Sequence, residues 1–195
     1  MEQLTVIFLG PQGSGKGTQV DLLSTHLKQM DTRPVGVFSM GKTLRDFCAK
    51  EGYSQKLVRN SLEHGEMQPD FLVTTLLGNF LTEHVVGSQH LITDGFPRTI
   101  TQAKDFDSIT AFYGLTRPKV VYLRLDENTS VERLTKRGRE DDNEAAIRHR
   151  LNWYREQVVP ALQYFRESPL YEVCEIDGNQ SIEKVHADIV AALTQ

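Results

Sequence analysis

The densest chemistry in the chain lies in residues 10–18, Gly-Pro-Gln-Gly-Ser-Gly-Lys-Gly-Thr. Gly10, Gly15 and Lys16 have the spacing of a phosphate-binding loop. Glycines let successive backbone N–H groups point inward as a nest, and the start of the following helix adds partial positive charge. Lys16 then bridges the terminal phosphates of a bound polyphosphate. Gly17 stands where a metal-binding Ser or Thr usually follows the lysine, and Thr18 comes one residue later. A magnesium ion here would depend on phosphate oxygens and water more than on a direct hydroxyl ligand.

A second group surrounds Asp94, which ends an apolar run and is followed by Gly95, Phe96, Pro97, Arg98 and Thr99. In an open parallel sheet, ligands sit at the carboxyl ends of the strands, where the glycine loop and Asp94 would meet. Asp94 can hold the water shell of magnesium, and Arg98 can bind a phosphate. A third group is cationic: Arg133, Arg137, Arg139, Arg148 and Arg150. Arg133 and Arg137 are four apart and share a helix face. Arg148 reads as the surface member. Phosphoryl transfer needs cationic clamps on the equatorial oxygens, which a closing lid carrying these arginines would supply.

The elements that must position these groups follow from the hydrophobic pattern. Short apolar runs predict strands at 5–9, 35–38, 91–93, 120–125 and 171–176. Helical spacing predicts helices at 15–30, 42–50, 57–64, 71–86, 99–113, 128–136, 144–165 and 182–193. Pro160 should kink or divide the long one. Strands alternating with helices give an α/β protein: a five-stranded parallel sheet with helices on both faces, of the P-loop NTPase type. Residues 41–86 hold three predicted helices and no strand, so they form an insertion beside the sheet, and the polar stretch 137–143 is exposed.

Composition narrows the function classes. The chain has 195 residues, 22 Lys plus Arg against 26 Asp plus Glu, and a net charge of −4, which disfavours a surface built for nucleic acid. No apolar run approaches a membrane span. The first residues lack a signal-peptide pattern, so the expected location is cytoplasmic. Cys48 and Cys174 read as small apolar residues, the six histidines show no paired metal spacing, and Trp153, Tyr154 and Phe165 read as packing.

Taken together, residues 10–19, 94–99 and 137–150 resemble the adenylate kinases, within the nucleoside monophosphate kinases. The resemblance runs in order along essentially the whole chain. It implies a core of residues 1–38, 87–136 and 144–195, a helical monophosphate-binding insertion at 39–86 and a short lid at 137–143. It also implies reversible, magnesium-dependent transfer between ATP and AMP giving two ADP, with ATP, AMP and ADP as partners, no nucleic acid or membrane, and a monomer. By the same resemblance Gly13, Ser14, Gly15, Lys16, Gly17 and Thr18 hold the ATP phosphates, with Arg133 and Arg137 beside them and Gln180 meeting the adenine through its backbone. Arg45 and Arg98 take the AMP phosphate, Gly95, Phe96 and Pro97 touch AMP, and Glu66, Met67 and Gln68 line its base. Gln102 reads the adenine edge, and Arg139 and Arg150 bridge to the acceptor phosphate.

Three positions depart from the family pattern. Met40 replaces a threonine near the acceptor base, Lys42 replaces an aspartate near the metal, and Gln12 stands where proline is frequent. The catalytic set expected is Lys16, Asp94, Arg98, Arg133, Arg137, Arg139 and Arg150, with no direct protein ligand to magnesium and Asp94 acting through water. Alternatives are a pyrimidine (UMP/CMP) or relaxed-specificity monophosphate kinase, and a non-catalytic nucleotide-binding module.

Overall fold

The computed structural model describes residues 2–138 and 144–194. At its centre is strand β1 (Thr5–Leu9), buried at every position because the sheet continues on both sides and helices cover both faces. The other strands are β2 (Val35–Ser39), β3 (His90–Asp94), β4 (Lys119–Arg124) and β5 (Glu172–Asp177). They form one parallel sheet in the order β2-β3-β1-β4-β5.

Alternation along β1 sorts its side chains into two cores. Val6 and Phe8 face helices α1 (Lys16–Met30) and α9 (Ile182–Leu193), meeting Val20, Leu23, Leu27, Val185 and Ile189. Ile7 and Leu9 face the other layer, whose buried residues include Phe38, Leu77, Phe96, Phe106, Leu162 and Phe165. That layer includes α5 (Ile100–Tyr113) and α8 (Val159–Glu167), which pack on one another.

Between β2 and β3 the chain makes only helices, as the apolar spacing predicts: α2 (Met40–Cys48), α3 (Tyr53–Glu63) and α4 (Asp70–His84). They bury Leu44, Val58, Val73, Leu77 and Leu81 in the same core as Phe38 and Phe96. Two of the helices that begin at the ligand end of the sheet are capped by their own sequence. Thr99 accepts from the Gln102 amide to start α5, and Asp126 accepts from the Thr129 amide to start α6 (Glu127–Arg137).

The long stretch predicted at 144–165 is divided. Helix α7 (Glu144–Trp153) passes into a π-helical turn, Tyr154–Val158, and then into α8. Pro160 lies in the first turn of α8, where its missing N–H removes no helical bond that a wider turn cannot absorb. A small cluster of Leu134, Ile147 and Leu151 fastens α7 to α6, so the two arginine-bearing helices are neighbours.

Candidate active site

Parallel register brings the carboxyl ends of three strands together: Phe8 of β1 pairs with Asp94, and so does Ser39 of β2. The glycine loop leaves β1 at this edge and enters α1 through Gly15, whose φ of 87° no side-chain-bearing residue adopts cheaply. The loop is braced from outside by α6. The Ser130 hydroxyl donates to the Gln12 carbonyl at 2.5 Å, and the Arg133 guanidinium donates to the carbonyls of Gly13 at 3.4 Å and Gly178 at 3.0 Å.

Lys16 folds over its own loop, donating to the Gly10 and Pro11 carbonyls at 2.7 and 2.8 Å and to the Ser14 hydroxyl at 3.3 Å. Burial lowers its pKa to about 8; the Asp94 carboxylate pulls the other way, while Arg98 and Arg137 push it further down. The Arg98 guanidinium is likewise held below its usual value, mainly by burial and then by the charge of Arg150, with Asp94 opposing. Lys16 thus feels Arg98 and Arg137, and Arg98 feels Arg150, with the Asp94 carboxylate opposing at both Lys16 and Arg98, a surrounding that a polyanion would relieve. Asp94 itself accepts from the Ser39 hydroxyl at 3.3 Å.

A cavity of about 30 Å³ lies between Lys16 and Arg98, walled also by Gly10, Gln12, Gly95 and Trp153. A larger one, about 370 Å³, opens beside it and is lined by Met67, Gln68, Pro69, Asp70, Thr99, His149, Trp153 and Gln157. The first suits a transferring group and the second a nucleoside-sized body.

The expected site residues distribute unevenly around these cavities. Gly13, Ser14, Gly15, Lys16, Gly17 and Thr18 form the loop and the first turn of α1, with Gly15, Gly17 and Thr18 exposed toward a ligand. Met67 and Gln68 line the larger cavity, but Glu66 is exposed and lines neither. Gln102 is buried with both ends of its amide engaged, the carbonyl by the Arg98 N–H at 2.7 Å and the NH₂ by Asp70 at 2.7 Å. Met40 and Phe96 are packed into the core and line neither cavity. Gly95 lines the smaller cavity, and Pro97 is buried beside it. Arg45 is exposed on α2, Arg137 is exposed at the end of α6, and Arg150 is buried on α7. The Gln180 side chain turns away to the Asp177 carbonyl and Asp188. Arg139 lies outside the described residues, as does most of the expected lid. Arg148 is exposed, as its spacing predicts.

The packing role expected of Trp153 is incomplete, since its ring walls both cavities; Tyr154 also lines the smaller one. Phe165 is a packing residue, stacked edge-on against Tyr171. Asp70 was not among the expected site residues, yet it holds Gln102 and Thr99 at once.

Among the described residues, no three His, Cys, Asp or Glu side chains gather as a cage for a metal ion. The groups that are present suit a hydrated magnesium carried in with phosphates. Asp94 offers a carboxylate beside Lys16, and the Gln12 side-chain carbonyl is buried without a hydrogen-bond partner among the described residues, an acceptor for a bound water.

The chain is similar over nearly its whole length to known proteins. Residues 8–169 match the family model described as adenylate kinase. An adenylate kinase of Thermus thermophilus is 37% identical over 194 residues, covering 96% of each chain. Adenylate kinase 1 of a Nostoc species is 35% identical over 188 residues (96% of this chain, 97% of that one), and an adenylate kinase of a Caulobacter species is 35% identical over 195 residues, 98% of each. On the family match and these full-length likenesses, the chain belongs to the adenylate kinase family.

Proposed function

We propose that the chain catalyses ATP + AMP ⇌ 2 ADP by direct in-line transfer, with Lys16 holding the donor phosphates and Arg98 the acceptor phosphate across the 30 Å³ cavity. The observation that carries this reading is that these two cations, from opposite ends of the site, wall the same small space. A phosphate oxygen of AMP is already a nucleophile at neutral pH, so no general base is required. It bonds to the γ-phosphorus while the bond from that phosphorus to the β,γ-bridging oxygen breaks, and the electron pair leaves with ADP.

The protein's work is positioning and charge stabilisation. The loop amides and Lys16 fix the ATP phosphates, Arg133 anchors the loop against α6, and Arg98 and Arg45 fix the AMP phosphate. Arg137, Arg139 and Arg150 neutralise the equatorial oxygens. When bound with ATP, magnesium offsets charge on the donor phosphates, and Asp94 with the Gln12 carbonyl would hold its waters. Residues 39–86 serve as the acceptor-binding unit and 137–143 as a lid whose closure expels water. Gln102, freed from Asp70 and the Arg98 N–H, would read the adenine edge, while Met67 and Gln68 line the base.

The test is a panel of AMP, CMP, UMP and GMP with ATP and magnesium, read as ADP formed. AMP is expected to be the best acceptor by a wide margin, because a buried amide built to pair with one base edge rejects another. UMP or CMP outpacing AMP would reject the choice of acceptor, and ATP binding without ADP formation would reject the activity.

A further inference from the structure

Trp153 is the single tryptophan of the chain and lies one helical turn beyond Arg150 on α7. Of the residues lining the two cavities, it alone belongs to both. The ring face lies against Arg98, whose Cζ is 5.5 Å from the ring centroid. The ring edge points the other way, and its Nε1–H donates to the Gly65 carbonyl at 3.0 Å, joining positions 88 residues apart.

Gly65 begins the segment that carries Met67 and Gln68, and it is held close to α7. Its φ is 71°, and a Cβ there would come within 3.0 Å of the Ala146 carbonyl oxygen. The loop therefore approaches α7 more closely than a residue with a side chain allows. The bond that fastens it is buried, where water does not compete for the carbonyl. A residue needed for packing alone would not require an N–H aimed at a backbone carbonyl; a Phe or Leu fills space as well.

Arg98 has the complementary need. Its guanidinium is buried and feels the like charge of Arg150. A planar cation so placed is steadied by an aromatic face, which is worth more as solvent is excluded.

We propose that Trp153 is a positioning residue for the acceptor nucleotide. Its face sets the orientation of Arg98, its edge pins the loop at Gly65, and one rigid side chain thereby fixes the separation between the acceptor's phosphate and its nucleoside. The inference rests on the acceptor roles proposed above for Arg98 and residues 66–68. An acceptor that lays its phosphate in the smaller cavity and its nucleoside in the larger one must pass around this indole.

The experiment compares the parent protein with Trp153→Phe and Trp153→Leu, each checked for folding by thermal unfolding, with AMP and ATP varied in turn. Trp153→Phe keeps a ring beside Arg98 and loses the N–H. It is expected to raise KM for AMP about five-fold with the larger part of kcat retained, the scale of one hydrogen bond. Trp153→Leu loses both contacts and is expected to raise KM for AMP further and lower kcat about ten-fold. KM for ATP should stay within about two-fold of the parent in both, since neither contact reaches the donor loop. In the unmodified protein, emission from the sole tryptophan should change saturably as AMP is added.

Folded variants with parent-like KM for AMP and kcat would overturn the proposal, as would equal rises in KM for both nucleotides. If neither variant folds, the fluorescence decides: a parent that turns over AMP with no change in emission would overturn it. A parent that forms no ADP from AMP would instead sink the underlying kinase reading.

Discussion

On the side proposed for ATP, Lys16 is held by backbone carbonyls of its own loop, and that loop is tied to α6 by Ser130 and Arg133. On the side proposed for AMP, the polar groups are mainly side chains that bond to nearby groups of the same region. Gln102 is taken up by Asp70 and the Arg98 N–H, Gln68 exchanges hydrogen bonds with Ser61, and Arg45 stands out in solvent. The two sides differ in what a ligand must do on arrival. A polyphosphate would enter a loop held between strand and helix, where the lysine would exchange its loop carbonyls for phosphate oxygens. On the proposed reading, a monophosphate would exchange its own bonds for those among Gln102, Asp70 and the Arg98 N–H, so its affinity would depend on how well each lost bond is replaced. On the assignment proposed above, the donor half is preorganised for charge, and the acceptor half is organised for discrimination.

The sharpest way to break that contrast is on the donor side. Lys16→Met preserves length and removes the charge, and it is expected to lower kcat by about a thousand-fold or more with the fold intact. Steady-state kinetics beside an unfolding curve checks this. Near-normal turnover in a folded variant would mean that the loop amides suffice and that the lysine is incidental.

A smaller effect is expected on the acceptor side. Gln102→Leu leaves Asp70 and the Arg98 N–H without their amide partner and removes the group proposed to read the base. KM for AMP should rise about ten-fold, with KM for ATP little changed, and the advantage of AMP over CMP should shrink. A panel of acceptors with this variant checks both statements. Equal loss for both nucleotides would place Gln102 in the scaffold.

The smallest effect is a proton. Burial lowers the Lys16 pKa to about 8, and bound phosphates would raise it again. ATP binding is therefore expected to take up part of a proton per site about half a pH unit above that value, measured by calorimetry in buffers of different ionisation enthalpy. The unfolded chain, with an ordinary lysine near 10.5, binds more protons than the folded one between about 8 and 10.5. The Lys16 contribution to stability consequently rises with pH across that window, and Lys16→Met should flatten both the uptake and the rise. Proton release on ATP binding would contradict the desolvated cradle.

The donor half was legible in the sequence because its geometry is local. Gly10, Gly15 and Lys16 lie within seven residues of one another and between an apolar strand and a helix, so spacing alone defines the nest. The central strand was equally plain, since a parallel strand covered on both faces must be largely apolar, as β1 is after Thr5, whereas the edge strand β5 carries Glu172, Glu175 and Asp177. The acceptor half was less so. The partners of Gln102 and Trp153 lie 32 and 88 residues away, separations at which no periodicity carries information. Spacing put Arg133 and Arg137 on one face but did not reveal the contacts of Arg133 with the loop carbonyl of Gly13 and with Gly178 in the β5–α9 turn. Pro160 announced a break in the long helix, but the π-helical form of the turn before it depends on Tyr154 and Val158 being buried beside the site.

The central claim is that a phosphoryl group crosses the space between Lys16 and Arg98 in a single displacement, and stereochemistry at the transferred phosphorus tests it most directly. With ATP made chiral by oxygen isotopes at the γ-phosphorus, transfer to AMP is expected to give inverted configuration in the ADP formed from the acceptor. Retention would require an intermediate phosphorylated on the protein, and the direct route between the two cations would then be wrong.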